Sequence, residues 1–121
     1  MKAVIRGICC ADVPDLRSWQ PPGPDRVAIP LEREIGPEDE SGTDLFQVLI
    51  VTQQGLRWYR QTVVDSLICP CLFVLRFDWR DVELRLNAIV DSCTGPDWPT
   101  IGDQLRRHFQ WEYEGYILTA L

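Results

Sequence analysis

The chain has 121 residues, 45% of them hydrophobic, and its 18 acidic against 12 basic side chains leave a net charge of −6. That length suits one domain, residues 1–121, able to bury roughly two-thirds of its unfolded surface without disulfides or metals. The acidic balance argues against a nucleic-acid binder, which needs a basic footprint, and no apolar run approaches the ~20 residues of a membrane-spanning helix.

The opening "MKAVIRGICC" resembles a signal peptide only briefly, because Arg6 and Asp12 interrupt it and no small-residue cleavage site follows. It reads as a strand over residues 2–8, in a cytoplasmic protein. Residues 11–25 are crowded by Pro14, Pro21, Pro22 and Pro24 and form a loop, pinned by Leu16 and Trp19. Residues 26–35 alternate: Val27, Ile29, Leu31 and Ile35 share one parity, interrupted by Arg33, and Pro30, Glu32 and Glu34 share the other. This is a half-buried strand, and Pro30 suggests a sheet edge or a bulge. "GPEDESG" (36–42) is a turn, and "TDLFQVLIVT" (43–52) a central strand, so the two strands form a hairpin with an acidic tip.

The period then changes. Leu56, Tyr59, Arg60 and Val63 fall at helical spacing, giving a helix over about 53–65 with Thr52 as a candidate N-cap. After "CPC" (69–71), "CLFVLRF" (71–77) reads as a buried strand. Asp78 caps a helix whose Trp79, Val82, Leu86, Ile89, Val90 and Cys93 make one apolar stripe, stopped by Gly95 and Pro96. Asp97 caps a last helix to about Phe109, with Ile101, Leu105 and Phe109 on one face. The order β-β-β-α-β-α-α predicts an α+β fold. A mainly antiparallel sheet of about four strands carries two to three helices on one face, and the other face is left partly free.

Chemical motifs are absent: no Gly-rich phosphate loop, nucleophile elbow or HExxH. Five cysteines, in vicinal and Cys-Pro-Cys spacings, lack the second pair a zinc site needs, so the expectation is reduced thiols, no metal and no cofactor. The one histidine, His108, could pair with Glu112 at i,i+4 if the last helix ran on, yet a lone histidine there reads better as a surface group. No catalytic residue is assigned, and the chain is read as a non-enzyme.

The charge pattern is more informative. Glu32, Glu34, Glu38, Asp39, Glu40 and Asp44 stand against the single base Arg33. Such a run keeps a hairpin soluble and guards an edge, and it also suits docking on a basic partner. Near the C-terminus, "QWEYEGY" (110–116) separates Trp111 and Tyr113 from Glu112 and Glu114 by parity if extended. Its aromatics, with Trp98 and Phe109, can anchor the last helix or face a partner.

These residues carry a resemblance over nearly the whole chain. The opening "MKAVIRGI", "DVPDL" (12–16) with its Pro-rich loop, the "GPEDESG" turn between two strands, "FDW" (77–79) leading into "VELRLNAIVDSCTG" (82–95), Trp98, "LRR" (105–107) and "WEYEGY" (111–116) resemble the immunity protein 8 family of bacterial polymorphic toxin systems. Gly115 departs from the acidic residue such a tail would lead one to expect. The resemblance implies a cytoplasmic antidote that binds and neutralises the toxin C-terminal domain encoded next to it. Many such toxins are nucleases with basic clefts. From charge and pattern, the candidate partner-binding residues are Glu38, Asp39, Glu40, Asp44, Trp111, Glu112, Tyr113, Glu114 and Tyr116, with Asp12 and Asp15 as lesser candidates. The alternative is a small homo-oligomeric scaffold, a homodimer whose free sheet face pairs with itself. Neither reading involves nucleic acid or membrane as a partner.

Overall fold

A computed structural model describes residues 1–10, 13–62 and 70–112. Among them, strands β1 (Ala3–Cys9), β2 (Ala28–Pro37), β3 (Asp44–Val51), β4 (Cys71–Phe73) and β5 (Gln110–Trp111) and helices α1 (Gln53–Thr62), α2 (Trp79–Ser92) and α3 (Trp98–Leu105) follow the β-β-β-α-β-α-α order, with one short strand added at the end. The fold is α+β. The sheet runs β1-β2-β3-β4, with β5 also on β3. β1, β2, β3 and β5 pair antiparallel, whereas β4 lies parallel to β3 after the α1 crossover. The far side of β3 is therefore shared end to end, Phe46 and Gln47 taken by β5 and Leu49–Val51 by β4.

Alternation sets the core. Val27, Ile29, Leu31 and Ile35 are buried with the facing residues Phe46, Val48 and Ile50, against Val82, Leu86 and Val90 of α2 and Ile101 and Leu105 of α3. Arg33 follows its parity inward and is fully buried. On the other face Glu34 and Gln47 are exposed while Leu49 and Val51 are buried, so that face is covered only toward the end of β3. No described helix is long and apolar enough to cross a membrane.

Several local expectations shift for identifiable reasons. Pro30 lies within β2, an inner strand, opposite Leu49. Leu49 turns its N–H to Pro70, so the Pro30–Leu49 pair makes no ladder bond. The proline nitrogen thus faces the β1 side, beyond the last registered pair Cys9–Glu32. The strand expected over 71–77 stops at Phe73, and Leu75 stands almost fully exposed. The last helix stops at Leu105, where residues 106–108 form a turn closed by His108 N–H on the Leu105 carbonyl (3.0 Å). The three caps are as expected. Thr52 Oγ1 accepts from Gly55 N–H (3.0 Å), Asp78 from Arg80 N–H (3.1 Å) and Asp97 from Thr100 N–H (2.9 Å).

Candidate partner-binding face

The β2–β3 hairpin turn is held from beneath. Glu38 N–H donates to the Lys2 carbonyl (2.9 Å). The register of β1 against β2 slips between Ile5 and Gly7, a bulge at Arg6, and bulges re-aim side chains. The Arg6 guanidinium reaches the carbonyls of Pro37 and Glu40 (2.7 Å to the latter). Gly36 and Gly42 approach so closely that a Cβ on Gly36 would stand 2.1 Å from the Gly42 carbonyl oxygen, and Gly42 itself has a φ of 104°. With the backbone clamped, Glu38, Asp39 and Glu40 are exposed, and none joins a salt bridge among the described residues. Arg6 offsets part of their field from below.

Beside the turn lies an aromatic cavity of about 230 Å³ between the start of β3, α3 and β5. Phe46, Trp98, Pro99 and Trp111 supply its apolar wall, and Asp44, Asp103 and Arg106 its charges. Trp98, at the first position of α3, donates its indole N–H to Asp44 (3.1 Å), fixing the helix start to the strand start. Trp111 pairs with Phe46 across β5 and β3 and lies 5.3 Å beneath the Arg106 guanidinium. Asp103 of α3 and Arg106, the C-cap just past its end, are 3.7 Å apart. Glu112 continues the β5 ladder twice over: its N–H donates to the Leu45 carbonyl and its carboxylate accepts from Leu45 N–H, both at 3.0 Å.

Six of the nine candidate residues, Glu38, Asp39, Glu40, Asp44, Trp111 and Glu112, thus gather at one end of the sheet. Two of them have structural duties as well, Asp44 as partner of Trp98 and Glu112 as partner of Leu45. Tyr113, Glu114 and Tyr116 lie outside the described residues, as does Asp12. Asp15 stands apart, its carboxylate accepting from Arg17 N–H (3.1 Å) and the Ser18 hydroxyl (2.8 Å) within its own turn. Asp103, Arg106 and Gly102 were not singled out by pattern. The i,i+3 spacing of Asp103 and Arg106, on the face away from Ile101 and Leu105, was their only signal.

The His108–Glu112 pairing considered from sequence is not assembled. Because the helix ends at Leu105, His108 and Glu112 share no helical face, and Glu112 is engaged with Leu45. The Cys9 thiol is pushed up by partial burial and by the Glu32 carboxylate, and burial raises Cys93 as well, the reverse of an activated thiolate. Cys9, Cys10 and Cys93 are free thiols, and no three metal-ligating side chains cluster among the described residues.

Compared with known protein families, residues 3–116 match the family model described as Immunity protein 8. No curated protein and no solved structure matches the chain.

Proposed function

The chain belongs to the immunity protein 8 family and is an immunity protein against a toxin; from that premise we propose that it neutralises a basic toxin domain, of nuclease type, through the acidic turn and the aromatic cavity beside it. The toxin is the C-terminal domain encoded next to this chain, and the encounter takes place in the cytoplasm of the producing cell. The observation that carries the reading is the juxtaposition of clamped carboxylates, in no salt bridge among the described residues, with an apolar cavity at one end of the sheet.

The two parts contribute differently. Exposed charges on a rigid turn steer a basic partner and speed association, and their contribution fades with salt. The cavity admits an apolar or cationic side chain, and desolvated aromatic contacts are where interface energy concentrates. Holding the turn in place beforehand reduces the ordering cost of binding. Inhibition then follows from occupancy of the toxin surface, with no chemistry performed by this chain.

Calorimetric titration against the neighbouring toxin domain at two salt concentrations tests this. One-to-one binding that weakens with salt is expected. Glu38→Lys, Asp39→Lys and Glu40→Lys together should lower the association rate about tenfold or more at low salt. Unchanged association would remove the turn from the interface, and no binding to a folded, active toxin would reject the pairing.

A further inference from the structure

The end of the sheet opposite the acidic turn is built with the opposite charge. Phe77 N–H donates to the Pro24 carbonyl (2.8 Å), strapping the proline loop onto the segment that enters α2. Trp19 packs edge-on against Phe77, their ring centroids 4.7 Å apart. This pair lines an open groove of about 990 Å³ whose charged lining is Arg17, Arg76 and Arg80 against Asp78 alone. The Asp78 carboxylate is occupied as the cap of α2. All three arginines are exposed, and none forms a salt bridge among the described residues. Of the neighbouring acids, Asp15 is held in its own turn and Asp81 stands by Arg85, while Asp25 and Glu83 line the adjoining pockets beside Arg76 and Arg17 and offset part of the charge. The positive end of the α2 dipole adds to the same field.

The two charged surfaces are separated by the length of α2, about 20 Å for 14 residues. Past its C-terminal end, Thr94 bridges to Lys2 and Gly95 N–H donates to the Met1 carbonyl. Lys2 in turn carries Glu38, so that end adjoins the acidic turn. The start of α2, at Trp79 and Glu83, adjoins Ile8, Cys9 and Cys10 at the far end of β1. A molecule with net charge −6 thus keeps an arginine-lined aromatic groove at one pole and three exposed carboxylates at the other.

We propose that this chain binds a second copy of itself, the acidic turn of one molecule (Glu38, Asp39, Glu40) seating in the Arg17–Arg76–Arg80 groove of the next. The turn is short, exposed and held rigid, and the groove is wide enough for it. Arginine forks suit carboxylates geometrically, and Trp19 and Phe77 supply the apolar floor. Because the two surfaces differ, a single joint is heterologous and extends as a chain or closes as a ring, whereas two such joints related by a two-fold axis would close an isologous pair. Exposed pairs of this kind are individually weak and salt-screened, so the assembly is one of high concentration and low salt. The joint stands without the toxin. If the toxin reading also holds, both partners compete for the same turn, and toxin dissolves the assembly.

Sedimentation velocity of the full chain, over a concentration series at low and high salt and with no toxin present, tests it. The mean mass should rise with concentration at low salt and return to that of the monomer at high salt. Arg76→Glu with Arg80→Glu should weaken association about tenfold or more, as should Glu38→Lys with Asp39→Lys and Glu40→Lys. Mixing the two reversed proteins should restore it, since each then meets its complement. A monomer throughout at low salt, association indifferent to salt, or reversed proteins that fold, stay monomeric alone and remain so when mixed would overturn the proposal. The unmodified chain's salt series decides even if a variant misfolds.

Discussion

The guanidinium of Arg33 lies 5.6 Å from the centroid of the Phe109 ring, fully buried in the sheet face that α2 and α3 cover. Its three nitrogens have no hydrogen-bond partner among the described residues. Burial lowers its pKa from the ordinary arginine value to about 10, so it remains charged at neutral pH. That shift corresponds to about 3 kcal/mol against the charged form, of which a desolvated cation–π contact returns about 2 kcal/mol. Arg33→Met keeps most of the volume and removes the charge, so it should raise the unfolding free energy by about 1 kcal/mol or more. Above pH 10 the unfolded chain keeps a proton that the folded chain gives up, so the stability tied to Arg33 rises from that pH upward. The advantage of Arg33→Met should therefore shrink above pH 10. Urea titrations of both proteins measure this, and a less stable Arg33→Met would show that the buried cation stabilises the fold.

Asp97 accepts from both the Thr100 hydroxyl (2.6 Å) and the Thr100 N–H (2.9 Å), and these two bonds hold its carboxyl below the usual range. A depressed carboxylate pKa gives stability that is complete above the unfolded value and is lost as pH falls through the folded one. Thr100→Val removes the stronger influence and leaves the backbone bond, so the Asp97 pKa should rise part of the way to its ordinary value. Asp97→Asn should keep the cap and lose this acid dependence. Carboxyl-detected NMR titration resolves the first, and acid unfolding curves the second. An Asp97 titration unmoved in Thr100→Val would mean that the hydroxyl bond does not persist in solution.

What could be read from the sequence is local, and what could not is long-range. Thr52, Asp78 and Asp97 announce helix starts because capping needs only a side chain and the next few N–H groups. The parity of Val27, Ile29, Leu31 and Ile35 fixes the inward face of β2, and Arg33 follows it because a one-residue slip would turn the whole strand over. The parallel placement of β4 has no comparable signature, since its apolar run suits either direction. The end of that strand at Phe73 was hidden too, because Leu75 is apolar yet exposed. The cavity brings Asp44 and Phe46 against Trp98 and Trp111, far apart in the chain. The acidic turn was visible as a run of charge. The arginine groove was not, because Arg17 and Arg76 meet only after the proline loop folds onto Phe77.

Gly55 shows how closely α1 crosses the chain at the entrance to β2. A Cβ there would lie 1.8 Å from the Val27 carbonyl oxygen and 2.6 Å from the Val27 nitrogen. The Thr52 hydroxyl ties the same place together, accepting from both Val27 N–H and Gly55 N–H. Backbone cannot yield as a flexible side chain does, so Gly55→Ala should destabilise by about 2–3 kcal/mol, although alanine favours a helix. A thermal melt that rises in Gly55→Ala would show that α1 stands further from Val27.

Gly102 presents the opposite case within the candidate site. It lies inside α3 and lines the aromatic cavity, and an added Cβ would meet nothing within 4 Å. Gly102→Ala should therefore stabilise the chain by about 0.5–1 kcal/mol through helix propensity. The same methyl group stands in the space proposed to receive a toxin side chain. If the cavity is occupied in the complex, Gly102→Ala lowers toxin affinity while raising the melting temperature, and the loss falls on dissociation because the steering carboxylates of the turn are untouched. If toxin binding uses the turn alone, affinity stays at the level of the unmodified chain. Stability and affinity measured on this one variant thus separate the cavity from the turn, since misfolding cannot explain weaker binding in a protein that melts higher.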